Sequence, residues 1–190
     1  MKHFDNIIFD LGGVIINLNI PLTIKAFNNL AAKYGNNLYT PQPEHPIFKD
    51  YEVGAVTSQQ FRNVLRQSIH AEAKDEEIDF AWNAMLLDIP KSRLELLLQL
   101  KQKFNIFLLS NTNEIHYDAF HKILYDAHGE NSLTPFFHKV YYSHIIQKRK
   151  PDAEAFQLLL DENNLVAENT LFLDDTPKHL EGAHRLAIQT

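Results

Sequence analysis

The sequence predicts an α/β fold: a doubly wound, Rossmann-like parallel sheet interrupted by an inserted helical cap. Three observations predict it. Four short apolar segments each run directly into a polar, turn-forming cluster. Stretches with helical spacing lie between them and supply the crossovers that parallel strands require. One long region, residues 18–89, shows helical periodicity with no convincing strand, which is the pattern of an insertion.

The strand candidates come in order. Ile7-Ile8-Phe9 precedes Asp10-Leu11-Gly12-Gly13, and Ile106-Phe107-Leu108-Leu109 precedes Ser110-Asn111-Thr112-Asn113. Val140-Tyr141-Tyr142 is the third, and Leu171-Phe172-Leu173 stops at Asp174-Asp175-Thr176-Pro177. Short apolar runs flanked by turn formers suit strands buried on both faces. Among the intervening helices, Leu94, Leu97 and Leu98 form one apolar stripe, and Phe156, Leu159 and Leu160 form another. Thr176 followed by Pro177 reads as an N-cap with proline at the first helical position. The core is therefore assigned to residues 1–17 and 90–190, and the cap to 18–89.

Within the cap, three to five helices are expected. Their apolar faces are Phe27, Leu30, Ala31 and Tyr34; Phe61, Val64, Leu65 and Ile69; and Ile78, Trp82, Met85 and Leu86. Pro41, Pro43 and Pro46 mark a loop between the first cap helix and the next. That loop and the turn from Tyr51 to Gly54 are the segments expected to select the substrate.

Composition narrows the function. At 190 residues and 45% hydrophobic, the chain can bury one core with a modest insertion. Its net charge of −6 argues against a surface that grips nucleic acid. The absence of cysteine removes disulfides, thiolate catalysis and cysteine-rich zinc sites. The first ten residues lack the pattern of a secretory signal, and no apolar stretch approaches the roughly 18 residues of a membrane span. A cytoplasmic protein acting on a small molecule, with neither a nucleic acid nor a membrane as partner, is the expectation. Oligomeric state is not legible.

In a doubly wound sheet, ligands bind beyond the carboxyl ends of the strands, where all these polar clusters fall. Each has an ordinary explanation when taken alone. Ser110 or Asn111 could cap a helix beginning near Thr112, and Lys150 closes the basic run Lys148-Arg149-Lys150. Asp174 and Asp175 could complement the positive end of the next helix. These separate accounts do not explain why Asp10, Ser110, Lys150 and Asp174-Asp175 follow four successive strands in that order.

Their order and spacing resemble the four motifs of the haloacid dehalogenase superfamily over essentially the whole chain. The resemblance implies a Mg²⁺-dependent phosphomonoester hydrolase with an aspartyl-phosphate intermediate and a small phosphorylated metabolite as substrate. Asp10 would be the nucleophile. Asp10, the Gly12 carbonyl and Asp175, with Asp174, would hold the metal through oxygen ligands. Lys150 and Ser110 would stabilise the phosphate, with Asn111 beside them.

Two positions depart from the common pattern. Where the superfamily usually has a second Asp, as the acid that protonates the leaving oxygen, this chain has Gly12. The Asp-Leu-Gly form, Ser110 to Asn113, Arg149-Lys150-Pro151 and Glu52-x-Gly54-x-Val56-Thr57 are together similar to a branch that includes a bacterial α-D-glucose-1-phosphate phosphatase. An anomeric leaving group needs less help from an acid, which suits a glycine. His179 stands where Asp or Asn is usual; it is read as a surface residue first, and otherwise as a support for the metal site or a substitute donor. The chain also ends where a fifth strand is expected, so truncation or a smaller sheet are both open. A 2-haloacid dehalogenase and a catalytically idle binding domain are the alternative functions.

Overall fold

A computed structural model of the chain describes residues 4–36, 39 and 44–190. Four parallel strands, β1 (Asn6–Phe9), β2 (Asn105–Ser110), β3 (Lys139–Tyr142) and β4 (Thr170–Leu173), form one sheet in the order β3-β2-β1-β4. The chain first builds outward from β1 through β2 to β3, then returns to place β4 on the other side of β1. That reversal creates a crevice between the carboxyl ends of β1 and β4. Beyond β4, Gln189 makes a parallel bridge to Leu171, so the position expected for a fifth strand carries a single bridge.

The sheet is covered on both faces, as alternation along its strands requires. Ile7 and Phe9 of β1 and Ile106 and Leu108 of β2 pack with Leu94 and Leu97 of α5 (Lys91–Lys101) and with Phe120 and Leu124 of α6 (Glu114–His128). Ile8, Phe107 and Leu109 point the other way. They meet Phe156, Leu159 and Leu160 of α8 (Ala153–Glu162) and Ala183 of α9 (Pro177–His184). Leu98, placed by its spacing on the α5 stripe, is 45% exposed, because the stripe that reaches the sheet narrows to Leu94 and Leu97.

Among the described residues, four helices stand between β1 and α5: α1 (Ile20–Lys33), α2 (Pro46–Glu52), α3 (Ser58–Ser68) and α4 (Asp75–Asn83). They bury an apolar cluster of their own around Phe27, Phe61, Leu65 and Ile78, with Tyr51 stacked on Phe61 at 4.2 Å. Local signals set their ends. Pro46 opens α2, and a reciprocal capping box between Thr57 and Gln60 starts α3. Tyr34 departs from the expected face: it lies beyond the end of α1, partly exposed, and its hydroxyl donates to Glu77 of α4 at 2.8 Å. Met85 and Leu86 lie past α4, in the returning linker, where Leu86 joins the core cluster. Pro41 and Pro43 lie outside the described residues.

The two linkers run alongside each other. Leu18 and Leu86 form an antiparallel bridge, Leu87 N donates to Asn17 O, and Asn17 N donates to Asp88 O. The Asn17 side-chain amide adds a hydrogen bond to the Asp88 carboxylate at 2.9 Å. The four helices thus hang from the core by a short two-stranded ribbon.

Candidate active site

Register brings the first and last acidic motifs together. Phe9 pairs with Leu173, and Asp10 N donates to Leu173 O at 2.9 Å, so Asp10 and Asp174 leave adjacent strands side by side. Lys150 reaches both. Its Nζ lies 2.6 Å from Asp10 Oδ1 and 2.6 Å from Asp174 Oδ2, with the lysine fully buried and the ammonium over the ring of Phe172 at 5.3 Å. One buried cation between two carboxylates offsets a desolvation cost that neither charge could meet alone.

Lys150 is placed by Asn111. The Asn111 amide donates to Lys150 O, and Lys150 N donates back to Asn111 Oδ1, both at 2.9 Å. Ser143, at the start of α7 (Ser143–Ile146), fastens the same two loops: Thr112 N donates to its Oγ, and that hydroxyl donates to Thr112 O. Asn113, rather than Ser110 or Asn111, caps α6 by accepting from His116 N at 3.0 Å. The capping role is thereby filled, and the buried Ser110 ends β2 beside the crevice. The Asn111 side chain bonds both backbone groups of Lys150, so it holds the lysine in place.

Asp10, Asp174 and Asp175 each present an oxygen within 4.8 Å of the others. The tight loop after β1 makes this possible. Gly13 has φ +72°, and a Cβ there would lie 2.3 Å from Asp175 Oδ2, so only glycine lets the loop pass that carboxylate. Gly12 is different. Its angle is ordinary, but a Cβ would meet Leu18 Cδ1 at 2.7 Å, so at Gly12 the limit is space.

The carboxylates do not share one electrostatic environment. Burial pushes the Asp10 carboxyl up, and the adjacent Lys150 charge only partly counters it. For Asp174, burial also acts upward, but hydrogen bonds from His179 and Lys150 and the lysine charge outweigh it and hold the group down at about 2. His179 Nδ1 is 3.0 Å from Asp174 Oδ2, and Thr176 N donates to Asp174 Oδ1 at 2.8 Å. His179 is therefore no isolated surface residue; it is the half-buried partner of Asp174.

The sequence pattern of haloacid dehalogenase-like hydrolases matches residues 4–186. The chain belongs to that family. A D-ribitol-5-phosphate phosphatase of Bacteroides thetaiotaomicron is 26% identical over 185 residues, which span 97% of this chain and 89% of that one. Among solved structures, a HAD family enzyme of Bacteroides thetaiotaomicron superposes with a TM-score of 0.87 at 33% identity, over 100% of this chain and 93% of its own. The wild-type form of that enzyme has been crystallised with magnesium and inorganic phosphate (TM-score 0.84, 32% identity, 98% and 92% covered). A HAD-like hydrolase of Porphyromonas gingivalis gives a TM-score of 0.85 at 31% identity, over 98% and 89% of the two chains. No helix among the described residues is long and apolar enough to cross a membrane.

In this haloacid dehalogenase-like chain, a cleft of about 210 Å³ opens beside the crevice. Gly12, Ser110 and Asn111 line it from the core, and Glu52, Trp82 and Met85 from the helical insertion. His116 closes one wall, stacked on Trp82 at 4.8 Å with its Nδ1 donating to Asn83 Oδ1 at 2.8 Å. Burial lowers this imidazole to about 3, so it is neutral near pH 7. Glu52 pairs with Arg149, whose Nε and Nη2 both lie 2.8 Å from Glu52 Oε2. The Arg149–Glu52 pair and the Trp82–His116 stack escaped the sequence reading of the site. Glu52 carried a signal, in the segment Glu52-x-Gly54-x-Val56-Thr57, whereas His116 carried none, because its position on α6 looks like any helical residue.

Proposed function

We propose that the chain is a Mg²⁺-dependent phosphomonoester hydrolase that acts through an aspartyl-phosphate intermediate on a small sugar or polyol phosphate. One observation supports this most: Lys150 joins Asp10 to Asp174 in the crevice between β1 and β4, with Asp175 completing a cluster of three carboxylates. The named relative acts on a polyol phosphate, and a homologous structure holds magnesium and phosphate, which favours the same chemistry here.

The donor set fits a hard dication, since it offers carboxylate oxygens with no thiolate. Asp10, Asp175 and the Gly12 carbonyl would hold Mg²⁺, with Asp174 reaching it through water because Lys150, His179 and Thr176 already occupy its oxygens. When bound, the ion supplies positive charge that keeps Asp10 ionised against its burial and draws the phosphate dianion in. Lys150 occupies Asp10 Oδ1, which leaves Oδ2 to attack phosphorus. Lys150 then sits against both the nucleophile and the equatorial oxygens, and the Ser110 hydroxyl donates to one of those oxygens. Asn111 and Asp174 act by fixing Lys150. Phosphoryl transfer asks for little more than in-line placement and charge balance.

The substrate's remaining part would lie in the cleft under Glu52, Trp82 and Met85, so the insertion acts as a selecting cap over residues 18–89. A sugar 1-phosphate, as in the branch with the Asp-Leu-Gly motif, is the narrower candidate. Mg²⁺-dependent phosphate release across a panel of polyol phosphates, sugar phosphates and 2-haloacids tests the reading. Release from the phosphates alone, abolished by chelation, is expected; halide release or metal-independent turnover would overturn it.

A further inference from the structure

Leu18 fills the space beside Gly12 where a proton-donating side chain would begin. Esters of ordinary alcohols still need a proton at the departing oxygen, because an alkoxide leaves poorly. Asp174 is held as the carboxylate, and His179, bonded to it through Nδ1, is not among the residues that line the cleft. Among the residues lining the 210 Å³ cleft, the ionisable ones are His116 and Glu52. His116 is held neutral, and its Nδ1 proton is used on Asn83.

Glu52 is not committed in this way. It ends α2 and lines the same cleft as Gly12, Ser110 and Asn111. Both contacts from Arg149 fall on Oε2, so that pair anchors the side chain without using Oε1. Burial raises its carboxyl, and Arg149, with smaller effects from His179 and Lys150, only partly reverses the shift. The group therefore keeps a proton to higher pH than an ordinary glutamate.

We infer that Glu52, delivered by the cap, is the proton donor and acceptor that Gly12 cannot be. The inference rests on the phosphatase reading above. In the first step Asp10 Oδ2 bonds to phosphorus and the ester P–O bond breaks. Its electron pair stays on the leaving oxygen, and the Glu52 carboxyl proton passes to that oxygen, giving the free alcohol. In the second step the Glu52 carboxylate takes a proton from water as the water oxygen bonds to phosphorus. The Asp10–phosphorus bond breaks, inorganic phosphate departs, and Glu52 is again the acid.

The test is single-turnover cleavage of two esters, p-nitrophenyl phosphate and a primary polyol phosphate, with Mg²⁺ present. Glu52→Gln keeps an oxygen for Arg149 but cannot give the proton. It should slow the polyol ester by about 10²-fold or more and the aryl ester by less than about tenfold. Arg149→Gln breaks the same cap-to-core ion pair while keeping the acid, and should slow both esters by similar factors. Equal slowing of both esters by Glu52→Gln, or no slowing, would overturn the assignment. If the wild-type protein releases phosphate from neither ester, the phosphatase reading itself falls, and this inference with it.

Discussion

The α/β core and the cap both bury an apolar cluster, yet they hold their charges in different ways. In the core, Lys150 and Asp174 are wholly buried and placed by strand register and by paired backbone contacts from Asn111. In the helical insertion, Lys33–Glu77 lies at a helix surface, where such a pair contributes little, and Arg62 joins Asp79 through two part-buried contacts of 2.7 Å between neighbouring helices. Glu52 differs by pairing across to the core. The contrast separates two tasks. Groups fixed by strand register sit at strand ends, and groups carried by the insertion ride on helices with an apolar cluster of their own.

Asp10→Asn would break that division most sharply. Turnover should fall below detection while thermal stability changes little, because the amide is nearly isosteric but is no nucleophile; near-normal rates would remove the core from the chemistry. Lys150→Met should come next, with turnover lost and unfolding free energy reduced by about 3–5 kcal/mol, since two buried carboxylates lose their cation. Urea titration without Mg²⁺ measures it, and an unchanged midpoint would mean the pair contributes no net stability.

The cap should respond as a structural unit. Phe61→Ala, at a fully buried site stacked on Tyr51 and edge-on to Trp82, is expected to cost about 3–5 kcal/mol. Amide exchange should show the loosening confined to α1–α4, and loosening spread equally into β1 and β2 would merge the two regions.

What the sequence revealed follows the same boundary. The four strands were readable because buried parallel strands are short apolar runs flanked by turn formers, and Asp10, Lys150, Asp174 and Asp175, which the structure gathers, stood in the polar segments after them. The helices of the insertion were readable from helical periodicity, but not their contacts. Tyr34 and Leu98 obey the spacing of a buried face and are exposed, because periodicity reports a face and not what covers it. Asn113 rather than Ser110 or Asn111 caps α6, a choice made by the Asn111 contacts with the distant Lys150 backbone. His179 could not be tied to Asp174 from sequence, although they are five residues apart, since the turn between them sets which way the ring points.

A smaller effect concerns Gly12. Gly12→Asp alone meets Leu18, so it should be paired with Leu18→Ala; together they should raise alkyl relative to aryl phosphate hydrolysis, by about tenfold or more. An unchanged ratio would mean that a carboxyl at position 12 does not reach the leaving oxygen.

A further expected effect is on stability at acid pH. His116 titrates at about 3 when folded and near 6.5 when unfolded, so below about pH 6.5 the unfolded chain binds the extra proton. Its contribution is intact above that pH and is lost progressively as pH falls towards 3. His116→Gln should flatten the stability profile across that window, measured by urea midpoints at several pH values. An identical slope in the variant would show that the imidazole is solvated.

The ribbon that joins the cap to the core has a mechanical meaning beyond attachment. Leu18 belongs to it, bridged to Leu86, and the same Leu18 side chain fills the space beside Gly12, next to Asp10. The residue that fastens the helical insertion to the core therefore also sets how large a side chain position 12 can carry, so attachment and the room beside Asp10 depend on one leucine.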